Sequence, residues 1–312
     1  MMTKLIAEFC QNHLGDRSIL EKMIISAKNN GASHAKIQGL YSHEITKRDQ
    51  FELPTNRIFR PYANEVERLS KLDLSIDTEK WFVQKCNEMS IIPMITVFTH
   101  MGVERAKNAG FKSIKFASYD CGSLPIISKV LEFADEIVIS TGATYWNEIK
   151  STAEYLQKNR RNHQKIAFLH ARTVYPTKLD QFGLLRMSAL KVFGFGIGLS
   201  DHTKPDDSGL IASQIAIILD ADYIERHYTV LDRSETRDGP VSINPSELLA
   251  LRNFSKLSKP DQTKSIDSEI LKSTMACSSL EPTEEEIVNR EYYRGRVASV
   301  VDGKVVHSWE NI

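Results

Sequence analysis

The sequence predicts a closed (β/α)8 barrel, an α/β TIM barrel, followed by a short C-terminal extension, and three observations carry this. Eight short β-branched or apolar runs recur, at residues 5–10, 34–38, 92–99, 113–118, 136–141, 165–171, 195–200 and 223–229. Helical patterns separate them, as βαβ units of a parallel sheet require. Eight such units fill about 250 residues, the usual size of this barrel. An open doubly wound sheet is the competing arrangement, but no G-x-G-x-x-G turn follows the first run.

Taken in order, the runs end in polar residues. The first carries Glu8 among apolar neighbours and leads into Gln11, Asn12 and His13. The second holds Lys36 and Gln38, two apart and therefore on one face. The third ends in Thr96 and Thr99, and the fourth passes through Lys115 and Ser118 to Asp120. Ser140, Thr141 and Gly142 close the fifth, and His170, Thr173 and Tyr175 follow in the sixth. The last two deliver His202 and His227, set among Ser200, Asp201, Thr203, Glu225 and Arg226.

Several helices announce their ends. Asp77 is the expected cap of a helix with Trp81, Phe82, Cys86 and Met89 on one stripe. Asp206 or Asp207 should start the nearly apolar segment 210–219. Asn244, Pro245 and Glu247 read as N-cap, N1 and the N3 partner of a capping box. Two regions break the repeat. Residues 42–74 form a long charged insertion with Arg48, Arg57, Arg60 and Arg68, and it reads either as a lid or as a solvated excursion. The barrel is expected over residues 1–259, with residues 260–312 a polar tail that packs beneath it or mediates dimer contacts, too short for an ordinary second domain.

Composition narrows the function. Lys plus Arg and Asp plus Glu are both 40 among 312 residues, so no net field attracts nucleic acid or an acidic membrane. No stretch approaches the roughly 20 apolar residues of a membrane span, and no secretory leader is readable. Cys10, Cys86, Cys121 and Cys277 lack C-x-x-C spacing, which fits cytosolic thiols better than zinc knuckles or disulfides. A cytoplasmic location is expected.

In a barrel of this kind the active site lies at the carboxyl ends of the strands. His202 and His227 are 25 residues apart, one βα unit, so neighbouring strands present both to one ion. Glu8 and Glu225 share the inward parity. Such a set suits Mn²⁺ or Zn²⁺; the plain alternative is that the histidines are core groups with protein partners. Lys36 and Lys115 project from strands buried on both faces, where a phosphate or carboxylate would compensate them. Thr96, Ser118, Ser140 and Ser200 add hydroxyl donors. The competing arrangement is a pair of salt bridges, Lys36 to Glu8 or Glu225 and Lys115 to Asp120.

Taken together, Ile6-Ala7-Glu8 with Asn12-His13-Leu14-Gly15, Ala35-Lys36-Ile37-Gln38, Ile114-Lys115-Phe116-Ala117-Ser118, Ile139-Ser140-Thr141-Gly142, Leu169-His170 with Tyr175-Pro176-Thr177, Gly198-Leu199-Ser200-Asp201-His202-Thr203 and Glu225-Arg226-His227-Tyr228-Thr229 resemble the sialic acid synthase family. The resemblance implies condensation of phosphoenolpyruvate with an aldose such as N-acetylmannosamine. It implies metal binding by His202 and His227, with Mn²⁺ the expected ion and Glu8 near the metal and the reacting carbons. It further implies phosphoenolpyruvate binding by Lys36, Thr96, Lys115, Ser118, Ser140 and Ser200, and sugar contacts from Gln38 and Tyr175. A homodimer is expected. The chain departs from the pattern on the acceptor side, with Asp120 for glutamate, Thr173 for asparagine, and Gly239-Pro240-Val241 for Gly-Pro-Asp unless Asp238 substitutes. No antifreeze-like domain is readable after the barrel, so an acceptor other than N-acetylmannosamine is expected, covered by residues 42–74 or 297–306. A metal-dependent sugar aldolase or isomerase that does not use phosphoenolpyruvate, and a non-catalytic sugar-binding paralogue, are the alternatives.

Overall fold

The computed structural model describes residues 2–312. Eight parallel strands close in sequence order: β1 (Lys4–Glu8), β2 (His34–Gly39), β3 (Ile92–Val97), β4 (Ser113–Phe116), β5 (Glu136–Ser140), β6 (Lys165–Ala171), β7 (Gly196–Asp201) and β8 (Tyr223–His227), the last pairing with β1. Each predicted run overlaps its strand, with β1, β2 and β7 each extending one residue beyond the run. The surrounding helices are α1 (Arg17–Asn29), α2 (Tyr62–Ser70), α3 (Ile76–Glu88), α4 (His100–Ala109), α5 (Leu124–Leu131), α6 (Trp146–Asn159), α7 (Leu185–Ala189), α8 (Pro205–Ser208), α9 (Ile211–Ile218) and α10 (Pro245–Phe254). After these come α11 (Lys259–Lys264), α12 (Ser268–Met275), α13 (Glu284–Tyr293) and a small hairpin of β9 (Ser299–Val301) and β10 (Lys304–Val306). Among the described residues no helix is long and apolar enough to cross a membrane.

Local capping follows the sequence at α10. Asn244 accepts from the Glu247 amide while Glu247 reaches back to the Asn244 amide, as the capping box requires. Two expectations are corrected. Ser75, not Asp77, caps α3 by accepting from the Thr78 amide, and Asp77 sits in the first turn, where a carboxylate still favours the helix dipole. Asp206 and Asp207 lie within the short α8, and Gly209, at φ 58°, separates it from α9.

The interior fills in three layers, because inward side chains alternate along each strand. At the amino end Glu136 accepts from Lys4 at 2.8 Å and from Ser113 and Tyr223 at 2.6 Å, and meets His34 at 2.6 Å. Burial alone would raise the Glu136 carboxyl, but His34, Lys4 and Ser113 outweigh it and hold the group well below the usual carboxylate range. The middle layer is apolar, with Ile6, Met94, Val138, Ala167, Leu169 and Tyr223. The top layer holds the lysines and hydroxyls. Gly198 permits β7 and β8 to approach, since a Cβ there would lie 2.2 Å from the Tyr223 carbonyl oxygen.

Outward residues of the same motifs do structural work. Asp201 and Arg226 are register partners, wholly buried and 2.6 Å apart, and Asp201 also accepts from Ser213 of α9. They tie the wall to a helix while Ser200 and Glu225 face inward.

The tail begins with α11 held at the C-terminal end of α9, where Lys259 meets Asp220 at 2.8 Å. Its later part lies over the carboxyl ends of the strands, because α13 carries polar groups that match the loops there. Buried Glu286 accepts from the Ala143 and Thr173 amides at 3.2 Å and pairs with Arg172 at 2.7 Å. Arg290 reaches Glu148 at the start of α6, and Ser308 donates to Asp120. The 42–74 insertion meets the tail: Ile45 bridges Val297, Arg48 donates to the carbonyls of Glu291 and Arg294, and Arg296 pairs with Glu65 at 2.7 Å. Replacing Glu286 by Ala leaves the Arg172 guanidinium buried without its partner, so urea unfolding should show a loss of about 3–5 kcal/mol. A loss below about 1 kcal/mol would mean that other contacts hold the tail down.

Candidate functional site

A cavity of about 670 Å³ opens at the carboxyl ends of the strands, lined by residues of the barrel, the insertion, the β8–α10 loop and the tail. Its floor is the top interior layer. Glu8 is the register partner of both Lys36 and His227, and Thr96 is that of both Gln38 and Lys115, so the closed barrel brings these residues from five strands together. Lys36 touches Glu8, donates to Thr96 Oγ1 at 2.8 Å and lies 3.6 Å from Glu225. Lys115 donates to Ser140 Oγ at 2.7 Å and lies 3.5 Å from Glu225. Ser200 donates to Glu225 at 2.8 Å.

The lysines are therefore not unpaired. Glu225 serves both and Asp120 serves neither, so of the competing pair of salt bridges Lys36 makes its own, to Glu8 and Glu225, while the Lys115–Asp120 bridge is replaced by Lys115–Glu225. Asp120 instead accepts from Ser308 at 2.9 Å, and burial pushes its carboxyl up to about 7. Burial would raise Glu225, but Lys115 and Lys36 outweigh it and bring the carboxyl to about 2. Burial pushes the Lys36 ammonium down to about 7, with Glu225 opposing and Lys115 adding to the fall. Two ammonium groups and a row of hydroxyls face one cavity, an arrangement able to receive a compact anion.

Ser118 accepts from the Gly142 amide at 3.2 Å, and a Cβ at Gly142 would lie 3.0 Å from Ser118 Oγ, so this corner is closely built. Gln38, Thr173 and Tyr175 line the outer part of the cavity, Tyr175 half-exposed at its rim. The Tyr175 hydroxyl lies 3.1 Å from His202 Nε2, and the Arg172 carbonyl lies 3.1 Å from His202 Nδ1. Both nitrogens of His202 thus have protein partners.

His227 differs. Its Nδ1 is buried without a partner, its ring centroid is 5.5 Å from that of His202, and its donor atom lies within 4.8 Å of one from each of Cys10 and Asp238. Burial lowers both histidines, His202 to about 3, so both are neutral at physiological pH. Neutral imidazole is the form that binds a divalent ion. The residues fit a divalent metal on the His227 side, where the donors are a thiol, an imidazole and a carboxylate.

Sequence reasoning missed Cys10, Arg237, Asn289, Tyr293 and Arg296, all of which line the cavity. Cys10 was readable in principle, since it follows the end of the first strand, where every other strand presents functional groups. The others come from the β8–α10 loop and the tail, which carry no periodic signal. Arg60, Arg68, Arg237 and Arg296 gather around Glu65, at 3.9, 2.9, 3.8 and 2.7 Å. Burial would raise Glu65, but Arg68, Arg296 and Arg60 hold it at about 2, and four guanidinium groups on one carboxylate leave this wall of the cavity positive.

Comparison with known proteins agrees with this architecture. N,N'-diacetyllegionaminic acid synthase of Campylobacter jejuni is 29% identical over 254 residues, covering 80% of this chain and 74% of that protein. N-acetylneuraminate-9-phosphate synthase of Mus musculus is 28% identical over 258 residues, covering 79% and 67%. Pseudaminic acid synthase of Campylobacter jejuni is 26% identical over 285 residues, covering 88% and 80%. Among solved structures, N-acetylneuraminic acid synthetase of Leptospira borgpetersenii, in complex with citrate, shares the fold with a TM-score of 0.70 at 22% identity, covering 94% of this chain and 91% of that one. The NeuB family model matches residues 23–263, and with that match over most of the barrel the chain belongs to the NeuB family.

Proposed function

We propose that the protein condenses phosphoenolpyruvate with an aldose other than N-acetylmannosamine, giving a nonulosonic or related ulosonic acid and inorganic phosphate. It is a synthase of its family and forms a carbon–carbon bond. The observation that carries the reading is the paired lysines with their hydroxyl ring at the carboxyl end of the barrel. C3 of phosphoenolpyruvate attacks the aldehyde carbon, water adds at C2, and phosphate leaves with the bridging oxygen. Aldose, phosphoenolpyruvate and water thus balance the acid and phosphate.

In this reading Lys36 and Lys115 hold the anionic groups, with Thr96, Ser118, Ser140 and Ser200 donating around them. Glu8 stands between Lys36 and His227, so it fixes the ammonium and faces the reacting carbons. A divalent ion held by His202 and His227 would polarise the aldehyde carbonyl. The Tyr175 hydroxyl, 3.1 Å from His202 Nε2, faces the sugar, joined by Gln38, Asp120 and Thr173. Arg237, Asn289 and Arg296 face the same space. They stand where the sequence departs from the pattern it resembles, which supports a different acceptor. The proposed setting is the cytoplasm, in keeping with four unpaired cysteines. The aldolase or isomerase and the non-catalytic alternatives gain nothing from the three relatives described above, each named as a synthase.

Incubation with phosphoenolpyruvate, a divalent metal and a panel of amino- and deoxyhexoses should release phosphate with at least one sugar; no release with any of them would sink the reading. Lys115→Ala removes a charged hydrogen bond worth about 1.5–3 kcal/mol, so calorimetry should show phosphoenolpyruvate binding about 10- to 150-fold weaker. Arg237→Ala should leave that binding unchanged and raise the KM for the sugar; the reverse pattern would place Arg237 at the phosphate instead. Lys36 is charged below about 7 and neutral above it. An anion restores the charge, so above the phosphate's own ionisation near about 6, binding should take up a proton and weaken as pH rises from 7 to 8.5. Calorimetry in buffers of different ionisation enthalpy measures both.

A further inference from the structure

We propose that Arg186 is a positioning residue of the anion pocket, acting through the peptide group that joins Thr141 to Gly142 to leave the Ser118 hydroxyl free to donate to a phosphate or carboxylate. The inference rests on the reading of that pocket as an anion site. It adds a residue that never touches the ligand.

Arg186 lies on α7, only 1% exposed and outside the lining of the cavity. Its guanidinium is spent on neutral acceptors. Nε donates to the Leu280 carbonyl at 2.8 Å, and one terminal nitrogen donates to Thr141 Oγ1 at 3.1 Å and His170 Nδ1 at 3.4 Å. The other donates to the carbonyls of Thr141 at 3.1 Å and Thr144 at 3.0 Å. No carboxylate pairs with it among the described residues, and the nearby Glu286 is taken by Arg172 at 2.7 Å. A cation buried without a counter-ion is costly. Burial accordingly pulls the Arg186 guanidinium below its ordinary value, with Glu286 opposing and Arg172 adding to the fall.

What the guanidinium holds is the loop after β5. That loop needs holding, since Ala143 sits at φ 49°, a left-handed conformation that a non-glycine residue adopts at a cost. Ser140, just before it, lines the cavity and accepts from Lys115 at 2.7 Å. One step further, the Thr141 carbonyl accepts from Arg186, and the Gly142 amide of the same peptide group donates to Ser118 Oγ at 3.2 Å. Carbonyl and amide point opposite ways across a planar trans peptide. Arg186 behind the loop and Ser118 in front of it are therefore joined through one rigid unit. The Thr144 hydroxyl closes the corner by donating to the Ser118 carbonyl at 2.8 Å. Ser118 Oγ thus accepts from within the protein and donates to none of the described residues, although it lines the cavity beside Lys115. Its proton is left for the cavity. In such a chain each hydrogen bond polarises the next, and arginine supplies a charge that does not titrate.

The test is calorimetric binding of phosphoenolpyruvate, with inorganic phosphate as a second probe, to wild type, Ser118→Ala, Arg186→Lys and the double variant. Ser118→Ala removes a hydrogen bond to a charged group and should weaken binding about 10- to 150-fold. Arg186→Lys keeps the charge but loses the fork, and should weaken it about 5- to 30-fold, a coupling usual within one network. The double variant should bind no more weakly than Ser118→Ala alone, because Arg186 acts through that hydroxyl. In turnover, Arg186→Lys should raise the KM for phosphoenolpyruvate and leave that for the sugar unchanged. Arg186→Gln, which removes the cost of the buried charge, takes its place if circular dichroism shows Arg186→Lys unfolded. Binding by Arg186→Lys equal to wild type, a loss that adds in full to that of Ser118→Ala, or unfolding of both Arg186 variants overturns the proposal and leaves a structural role. Wild type that binds phosphate but not phosphoenolpyruvate removes the synthase, and the same cycle then decides on Arg186 with phosphate. Wild type that binds neither removes the anion pocket and this proposal with it.

Discussion

Two ammonium groups and two carboxylates buried in one layer of the barrel are the constraint on which the rest of the molecule turns. Lys36, Lys115, Glu8 and Glu225 come from four different strands, and none could be held away from water alone. Each is tolerable only when the sheet closes and supplies the others. Closure therefore assembles the charges, and the charges fix the register, since a slip of one residue would turn every inward group outward. The lower layer repeats the logic around Glu136. Between the two lies a belt of apolar side chains, from which Tyr223 reaches down to Glu136, and it keeps both networks in low dielectric.

Above this floor the walls come from outside the βα repeat. The insertion after β2 and the segment after α12 meet over the strand ends and share one carboxylate, Glu65, among arginines from the insertion, the β8–α10 loop and the tail. The floor is thus a neutral, paired array and the wall an unbalanced positive one. The two halves are built by different means. Floor residues are fixed by strand geometry, whereas wall residues are fixed by ion pairs between irregular segments.

That difference explains what could be read from the sequence. Period-two alternation exposes Lys36 with Gln38 and Glu225 with His227 without any structure, and the eight runs locate every barrel strand. The capping box at Asn244 was legible, the one at Thr283 and Glu286 went unread, and the cap of α3 was misread because the neighbouring Ser75 competes with Asp77. The partner of Lys115 was misassigned because Asp120 is near in sequence while Glu225 is four strands away. Arg237 and Arg296 had no signal, since neither lies in a periodic segment. The tail was read both as packing beneath the barrel and, at residues 297–306, as covering the site, and the sequence could not choose: only the matching of Glu286 to two free amides and Arg172 decides which end α13 covers.

The sequence separations of the roof contacts bear on how the protein is made. Glu286 reaches back 143 residues to Ala143, Ser308 reaches back 188 to Asp120, and Arg296 reaches back 231 to Glu65. Loop closure over such spans is slow compared with pairing of successive strands. Barrel closure itself joins residues 219 apart, Lys4 to Tyr223, but the roof residues 286–308 are synthesised after all eight barrel strands, so the covered cavity can be completed only once the last barrel strand has been made.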